Sequence, residues 1–128
     1  METTAYTKSV RISTRKIRIV ADVIRNQSVN QALRYLAAIE KRGAYPLEKI
    51  LRSAIANAVN NNKLTADSLV IKSLEVNEAT AMKRFHPSTR GRAHPYKRRG
   101  SHIRITLEEK PSLVELPKVE VKGELNGK

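Results

Sequence analysis

The sequence predicts an α+β fold in which three helices pack on a small antiparallel sheet and a long basic β-hairpin protrudes from it. Three observations predict this fold. Residues 14–62 contain three segments whose apolar side chains recur at helical spacing. Residues 69–107 contain two segments in which apolar and polar side chains alternate. The stretch between those two segments is rich in arginine and free of acidic residues.

Length and composition indicate one domain with an aliphatic core. The chain has 128 residues, of which 40% are hydrophobic and only 4% aromatic, so Leu, Ile, Val and Ala must fill the interior. A net charge of +13 favours a polyanionic partner, either nucleic acid, an anionic membrane surface or an acidic protein. The absence of cysteine excludes disulfides and Cys-based zinc sites. The N-terminal residues lack the pattern of a secretory signal and no apolar run could span a bilayer, so we expect a cytoplasmic protein.

The N-terminal segment is predicted to form a strand followed by a helix. The strand covers about residues 5–11 and offers Tyr6, Val10 and Ile12 as an apolar side. Ser13 can cap a helix over about residues 14–25. The predicted buried stripe of this helix is Ile17, Val20, Ala21 and Ile24. Its opposite, basic face carries Arg15, Lys16, Arg18 and Arg25.

Two further helices follow. The second covers roughly residues 28–40 and is predicted to bury Val29, Ala32, Leu33, Leu36 and Ala37. Gly43 separates it from the third helix, in which Pro46 occupies a first-turn position. The third helix is predicted to bury Leu47, Ile50, Leu51, Ala54, Ile55, Ala58 and Val59. Asn60–Asn62 should end this helix, because Asn forms local backbone hydrogen bonds and tolerates left-handed conformations.

From Leu69 onward the apolar period changes to two. In the first alternating segment Val70, Leu74 and Val76 fall on one side together with Lys72. In the second segment Ile103, Ile105 and Leu107 do the same. The residues between them, about 78–101, are predicted to form an extended hairpin that projects on the order of 30 Å. Residues 1–108 then make up one domain, and residues 109–128 are predicted to be a flexible charged tail.

The charge of the predicted hairpin carries the functional prediction. No acidic residue lies between Glu78 and Glu108, whereas eight basic residues do, six of them arginines. A surface that needs only solubility usually mixes both signs, so a block of one sign indicates a polyanion partner. Arginine suits bidentate phosphate contacts, and Phe85, Tyr96 and three histidines add flat groups that can stack on bases. The hairpin is therefore predicted to bind RNA.

Other functions fit the sequence less well. His86, His94 and His102 recur every eight residues, but no Cys or acidic residue accompanies them, so they do not predict a metal site. No acid/base pair, nucleophile motif or phosphate-binding glycine loop indicates catalysis. The first two helices could form a DNA-binding helix-turn-helix, yet the second exposes few basic residues to a groove. A membrane-surface helix is disfavoured by two prolines in the basic segment.

Several motifs resemble the family of bacterial large-subunit ribosomal protein twenty-two, over about residues 1–108. Two of them lie in predicted helices, at residues 13–25 and 53–58. Three more follow in the order and at the spacing of the family, and these are Met82-Lys83-Arg84, Gly91-Arg92-Ala93 and Ser101-His102-Ile103. Each tripeptide alone would be weak evidence, but the ordered set is specific.

The resemblance implies a body that lies on large-subunit rRNA near the exit of the nascent-peptide tunnel. It also implies a hairpin tip that helps to line the tunnel wall, opposite large-subunit protein four. The implied partners are large-subunit rRNA, neighbouring ribosomal proteins and the nascent peptide; no DNA, membrane, cofactor, metal or catalytic residue is implied. The residues assigned to rRNA binding are Lys16, Arg18, Arg25, Lys83, Arg84, His86, Arg90, Arg92, His94, Lys97, Arg98 and Arg99. Those assigned to the tunnel-lining tip are Met82, Lys83, Arg84, Arg90, Gly91 and Arg92.

Overall fold

A computed structural model describes residues 1–110, and these residues confirm the predicted α+β class. The elements in chain order are β1 (Glu2–Val10), α1 (Thr14–Ile24), α2 (Val29–Ala38), α3 (Ala44–Asn62), β2 (Leu69–Glu78), β3 (Met82–Pro87), β4 (Ala93–Arg98) and β5 (Ser101–Glu109). Short 3₁₀ turns lie at Ala66–Ser68 and Thr89–Gly91. Strand β5 extends through Glu109, the first residue of the predicted tail, and residues 111–128 of that tail lie outside the described residues.

The body is a three-stranded antiparallel sheet with helices on one face. Strand β5 is central and pairs with β1 on one side and β2 on the other. Its inward side chains, Ile103, Ile105 and Leu107, are fully buried against the helices. The predicted stripe of α1 is also buried in full, because its apolar spacing follows the 3.6-residue period of the helix.

Strand β1 begins earlier than predicted; of its predicted apolar side chains, Val10 and Ile12 pack against the core, whereas Tyr6 does not. It pairs with β5 from Glu2, and the side chains that face the core are Thr3 and Ala5, whereas Tyr6 is 50% exposed. Successive side chains of a strand point to opposite faces, so a start at Glu2 fixes Tyr6 on the outer face. A register irregularity between Thr7 and Val10 then returns Val10 to the core. Ser13 does lie at the N-cap of α1, but its side chain makes no capping hydrogen bond.

The other two helices differ from prediction at their margins. In α2, which ends at Ala38, Val29, Ala32 and Leu36 are buried and Leu33 packs partly, but Ala37 is exposed. In α3 the run of three asparagines stays helical, and the left-handed residue that ends the helix is Lys63 (φ 57°). The last turn also makes a tertiary contact, because the Asn62 side chain donates a 2.5 Å hydrogen bond to Thr3 Oγ1 of β1. Ile55 packs partly against the core and Val59 is exposed.

A β-bulge in β2 overturns the predicted side-chain pattern of this strand. Ile71 pairs with Leu107 and Ser73 with Thr106, so Lys72 is the extra residue. A one-residue insertion shifts all side chains before it to the other face. Leu69 and Ile71 are therefore buried together with Leu74 and Val76, whereas Val70 is only half-buried and Lys72 is exposed. The bulge keeps a lysine out of the core.

Candidate nucleic-acid interface

The predicted hairpin is present as a separate two-stranded sheet formed by β3 and β4. Its ladder has six pairs, from Met82 with Arg98 to Pro87 with Ala93. Every residue of the two strands is exposed except Tyr96, which is half-buried. At about 3.4 Å per residue the ladder spans about 20 Å. The paired part is shorter than predicted because the residues between β2 and β3 lie outside both sheets.

The far end of the hairpin is a defined turn. Ser88 N–H donates to the Arg92 carbonyl (2.6 Å), and Arg92 N–H donates to the Thr89 carbonyl (3.4 Å). Arg90 (φ 59°) and Gly91 (φ 69°) both adopt the left-handed conformation, which glycine adopts readily and arginine only at a cost. The turn therefore holds the Arg90 side chain at the outermost part of the hairpin.

The residues assigned to the tip lie at two different positions along the hairpin. Arg90, Gly91 and Arg92 lie at or next to the far turn. Met82, Lys83 and Arg84 do not: they pair with Arg98, Lys97 and Tyr96, at the end of the ladder nearest the body. The two groups are at opposite ends of the hairpin because β3 must run its full length before the chain turns. Residues 88–92 form the tip of the hairpin.

The basic side chains of the hairpin lack acidic partners. Among the described residues the one ion pair that reaches this region joins Arg99 to Glu78 at 3.8 Å, at the base of the hairpin. Arg84 donates to the Lys83 carbonyl (2.8 Å) and lies 3.5 Å from Met82 Sδ, which are contacts within its own strand. The positive charge is therefore available to phosphates and is not neutralised by this part of the protein.

The two faces of the hairpin carry different side chains. Residues directly opposite each other in an antiparallel ladder share a face. The first face, called the ring face below, carries Met82, Arg84, His86, His94, Tyr96 and Arg98. The second, called the lysine face, carries Lys83, Phe85, Pro87, Ala93, Pro95 and Lys97. On the ring face the rings of His86 and Tyr96 stack at 4.0 Å with an interplanar angle of 16°, and His94 Nε2 lies 2.9 Å from Ser88 Oγ.

Two of the predicted rRNA-binding arginines on α1 contact the sheet. Arg18 Nη2 donates to the Val76 carbonyl at 2.8 Å, and Arg25 Nη2 donates to the Leu74 carbonyl at 3.3 Å. Both carbonyls belong to the outer edge of β2. Sequence periodicity alone does not predict that this edge lies beside α1. Arg25 also pairs with Asp22 at 3.3 Å, whereas Lys16 is simply exposed. The arginines thus stabilise the sheet and keep further N–H groups for other acceptors.

The sheet face opposite the helices is polar and mixed in charge. Lys72 hydrogen-bonds to Glu2 and lies 3.7 Å from Glu108, joining all three strands. The hydrogen bond to Lys72 lowers the pKa of the Glu2 carboxyl, and the same bond raises the pKa of the Lys72 ammonium. Beside this cluster lies an open groove of about 410 Å³ lined by Thr4, Tyr6, Glu75, Asn77 and Arg104. These five lining residues do not form the nucleophile and general-base pair that a catalytic site would need.

His102 sits next to this groove and away from the other two histidines. Its Nδ1 accepts a 3.0 Å hydrogen bond from Ser9 N–H, and its ring lies 6.1 Å from that of Tyr6. His86 and His94 pair directly in the hairpin, so the spacing of eight residues does not gather three ligands. Within residues 1–110, no group of three or more His, Cys, Asp or Glu side chains could hold a metal ion.

The first two helices are not arranged as a helix-turn-helix. In that motif the N-terminal end of the second helix must enter the DNA groove. Here that end faces the protein: Ser28 bridges to Val70 of β2, and Ile71 N–H donates to the Gln27 carbonyl at 3.1 Å. Asn30 further donates to Asp67 at 3.0 Å. The connection between the helices is thus part of the sheet edge.

None of the helices in the described part of the chain has the length and apolar character required to cross a membrane.

Comparison with known proteins gives one consistent result. Residues 5–108 match the family model described as "Ribosomal protein L22p/L17e". A protein of Mesoplasma florum named "Large ribosomal subunit protein uL22" is 49% identical over 109 residues, which cover 85% of this chain and 97% of that protein. Proteins of the same name from Thermus thermophilus and Oceanobacillus iheyensis are each 48% identical, over 86% of this chain and 97% of their own length.

Proposed function

The chain belongs to the ribosomal protein L22p/L17e family, and from this premise we propose that it binds large-subunit rRNA through its hairpin and through the basic face of α1. Membership makes the chain a structural constituent of the large ribosomal subunit, in the cytoplasm, and not an enzyme.

The observation that carries the rRNA proposal is the unpaired charge of the hairpin. Both strands are exposed apart from Tyr96, and no acidic residue lies between Glu78 and Glu108. Within residues 1–110 the single ion pair to this region is at its base. Such charges would repel one another without a polyanion, and phosphate contacts dominate nucleic-acid affinity. The assigned phosphate-binding residues are Lys83, Arg84, Arg90, Arg92, Lys97, Arg98 and Arg99, with His86 and His94 beside them.

The body supplies the second part of the interface. Lys16 is exposed on α1, and Arg18 and Arg25 use one N–H group each on β2. Because a guanidinium has five N–H donors, each arginine can contact a phosphate while it holds the sheet. The proposed interface therefore has two parts, the hairpin, which reaches into the RNA, and the body, which lies on it. Both parts belong to one domain, residues 1–108.

Binding to large-subunit rRNA should depend steeply on salt. If six to ten phosphates are neutralised, affinity should fall by roughly 10³–10⁵ between about 50 and 200 mM monovalent salt, because each contact releases counterions. Filter binding of the full chain to its rRNA over a salt series measures this. A nearly flat dependence would contradict phosphate contact by the hairpin.

We further propose that the tip, and not residues 82–84, lines the nascent-peptide tunnel opposite large-subunit protein four. The support is geometric, since Arg90 projects at the far turn and Met82 to Arg84 lie beside the body. Neighbouring ribosomal proteins and the nascent peptide are partners on this proposal.

Replacing both tip arginines, Arg90→Gln with Arg92→Gln, should change nascent-peptide passage and leave assembly intact. The ladder and the body contacts remain, so subunits should form normally, whereas the charge presented at the tip is removed. Ribosome profiling or toeprinting on a stalling peptide measures the effect. The matched control is Lys83→Gln with Lys97→Gln, which removes the same charge at the near end. Equal stalling for the two double variants would refute the tunnel assignment.

A deletion of Met82 to Arg84 is a poorer test of the tunnel. Three residues would be removed from one arm, and an odd shift moves every later side chain of β3 to the opposite face. The deletion would therefore exchange the two faces on that arm as well as shorten it.

A further inference from the structure

We infer that the lysine face of the hairpin is a binding site for one unpaired nucleotide, with the base stacked on Phe85 and a phosphate held between Lys83 and Lys97. This inference rests on the proposed rRNA function and names the class of RNA element that the hairpin recognises. It is carried by three observations on residues of the same face.

The first observation is the state of the Phe85 ring. The side chain is 68% exposed, and its cross-strand partner is Pro95, which has no π-face to offer. The other two large rings of the hairpin, His86 and Tyr96, already stack on each other on the opposite face. Within the described residues, Phe85 and His94 are the hairpin rings without an aromatic partner, and His94 is on the opposite face with its Nε2 2.9 Å from Ser88 Oγ. Phe85 is therefore the unstacked ring of the lysine face. An exposed ring in a basic setting suits base stacking, which tolerates any base.

The second observation is the pair formed by Lys83 and Lys97. The two residues are directly opposite in the ladder, and like charges in that position destabilise a sheet. Neither ammonium has an ion-pair partner among the described residues. One phosphate between them would turn this repulsion into attraction. The ladder thus brings two ammonium groups together to form an anion site, and no acidic side chain of the described residues pairs with them.

The third observation is the spacing of the two features. Phe85 and Pro95 form the pair two residues beyond Lys83 and Lys97, and side chains two residues apart on a strand share a face about 7 Å from each other. A base and the phosphate of the same strand can occupy these adjacent positions. Pro87 and Ala93 extend the apolar surface toward the tip without adding charge. A single strand or bulge can present a base in this way, whereas the bases of an intact duplex are already stacked.

The test compares Phe85→Leu with Phe85→Tyr and with Tyr45→Leu in the full chain. Tyr45 is 71% exposed on α3, so its replacement removes an equally accessible ring from the body. The probes are a single-stranded RNA decamer and the same strand annealed to its complement. Phe85→Leu should weaken single-strand binding about 5- to 150-fold, with the salt slope unchanged and duplex binding little affected. Phe85→Tyr and Tyr45→Leu should bind the single strand like the parent chain.

A second measurement tests the stacking and the phosphate site directly. Lys83→Gln with Lys97→Gln should flatten the salt slope for the single strand by about 0.7 for each phosphate that is no longer neutralised. In the complex of the parent chain with the single-stranded decamer, NMR should show nuclear Overhauser effects between the Phe85 ring and base protons. If Phe85→Leu binds like the parent while the lysine variant is weakened, the stacking site is wrong and the proposed rRNA function stands. If neither variant alters binding to any RNA, both the site and the assignment of this face to rRNA fail.

Discussion

Leu51→Asp should abolish folding of the body. Leu51 is 0% exposed in the middle of α3, where it contacts the apolar core that the helices form with the sheet. An unpaired carboxylate there costs at least several kcal/mol, in addition to the roughly 2–5 kcal/mol lost with a buried leucine side chain. Because a whole domain is stable by only about 5–15 kcal/mol, the folded state should no longer be populated.

Circular dichroism and thermal unfolding measure this effect. The matched control is Ser53→Asp, which adds the same charge two residues later at an exposed position of the same helix. We expect this control to unfold within a few degrees of the parent chain. A cooperative transition of Leu51→Asp near the parent melting temperature would contradict the assignment of α3 to the core.

Neutralising the base of the hairpin should remove most of the rRNA affinity and leave the fold intact. The variant combines Lys83→Gln, Arg84→Gln, Lys97→Gln and Arg98→Gln. All four residues are exposed and lie in the part of the ladder nearest the body. Without these four cations, binding should weaken by about 10³-fold near 0.1 M salt, and the slope of log affinity against log salt should fall by about 3 to 4. The body should keep its unfolding temperature.

The control for this variant removes the same amount of charge from the body. Arg34→Gln, Lys41→Gln, Arg42→Gln and Lys49→Gln change four residues on the α2 and α3 side. If binding depended only on net charge, both quadruple variants would lose affinity equally, and the hairpin would not be the principal arm. We expect the body variant to retain most of the affinity, because a diffuse charge does not replace direct phosphate binding.

The sequence predicted those elements whose side chains follow one period without interruption. Ile17 to Ile24 in α1 and Ile103 to Leu107 in β5 are buried as their spacing required. The pattern of β2 failed at Lys72, because a bulge depends on how the partner strand is paired and leaves no local period. Tyr6 was assigned to the wrong face for a related reason: the start of β1 is set by its pairing with β5.

The sequence predicted which residue types make up the candidate site, but only partly where they lie along the hairpin. The acid-free basic stretch and the turn at Gly91 are local features, and both appear in the structure. The order of motifs, however, does not say how far along a hairpin a motif lies, and Met82 to Arg84 occupy the end of the ladder nearest the body. The hydrogen bonds of Arg18 and Arg25 with β2 join residues 58 and 49 positions apart, and no local pattern contains such information.

The outer edge of β2 has a consequence for the free protein before it meets RNA. Edge strands with open carbonyls invite pairing with another chain and hence aggregation. Here Gln27 and Ser28 occupy the first part of that edge, and Arg25 and Arg18 occupy the Leu74 and Val76 carbonyls. The two arginines that we propose for the rRNA interface thus already occupy carbonyls of this edge, so the free protein offers fewer open acceptors there to a second copy of the chain.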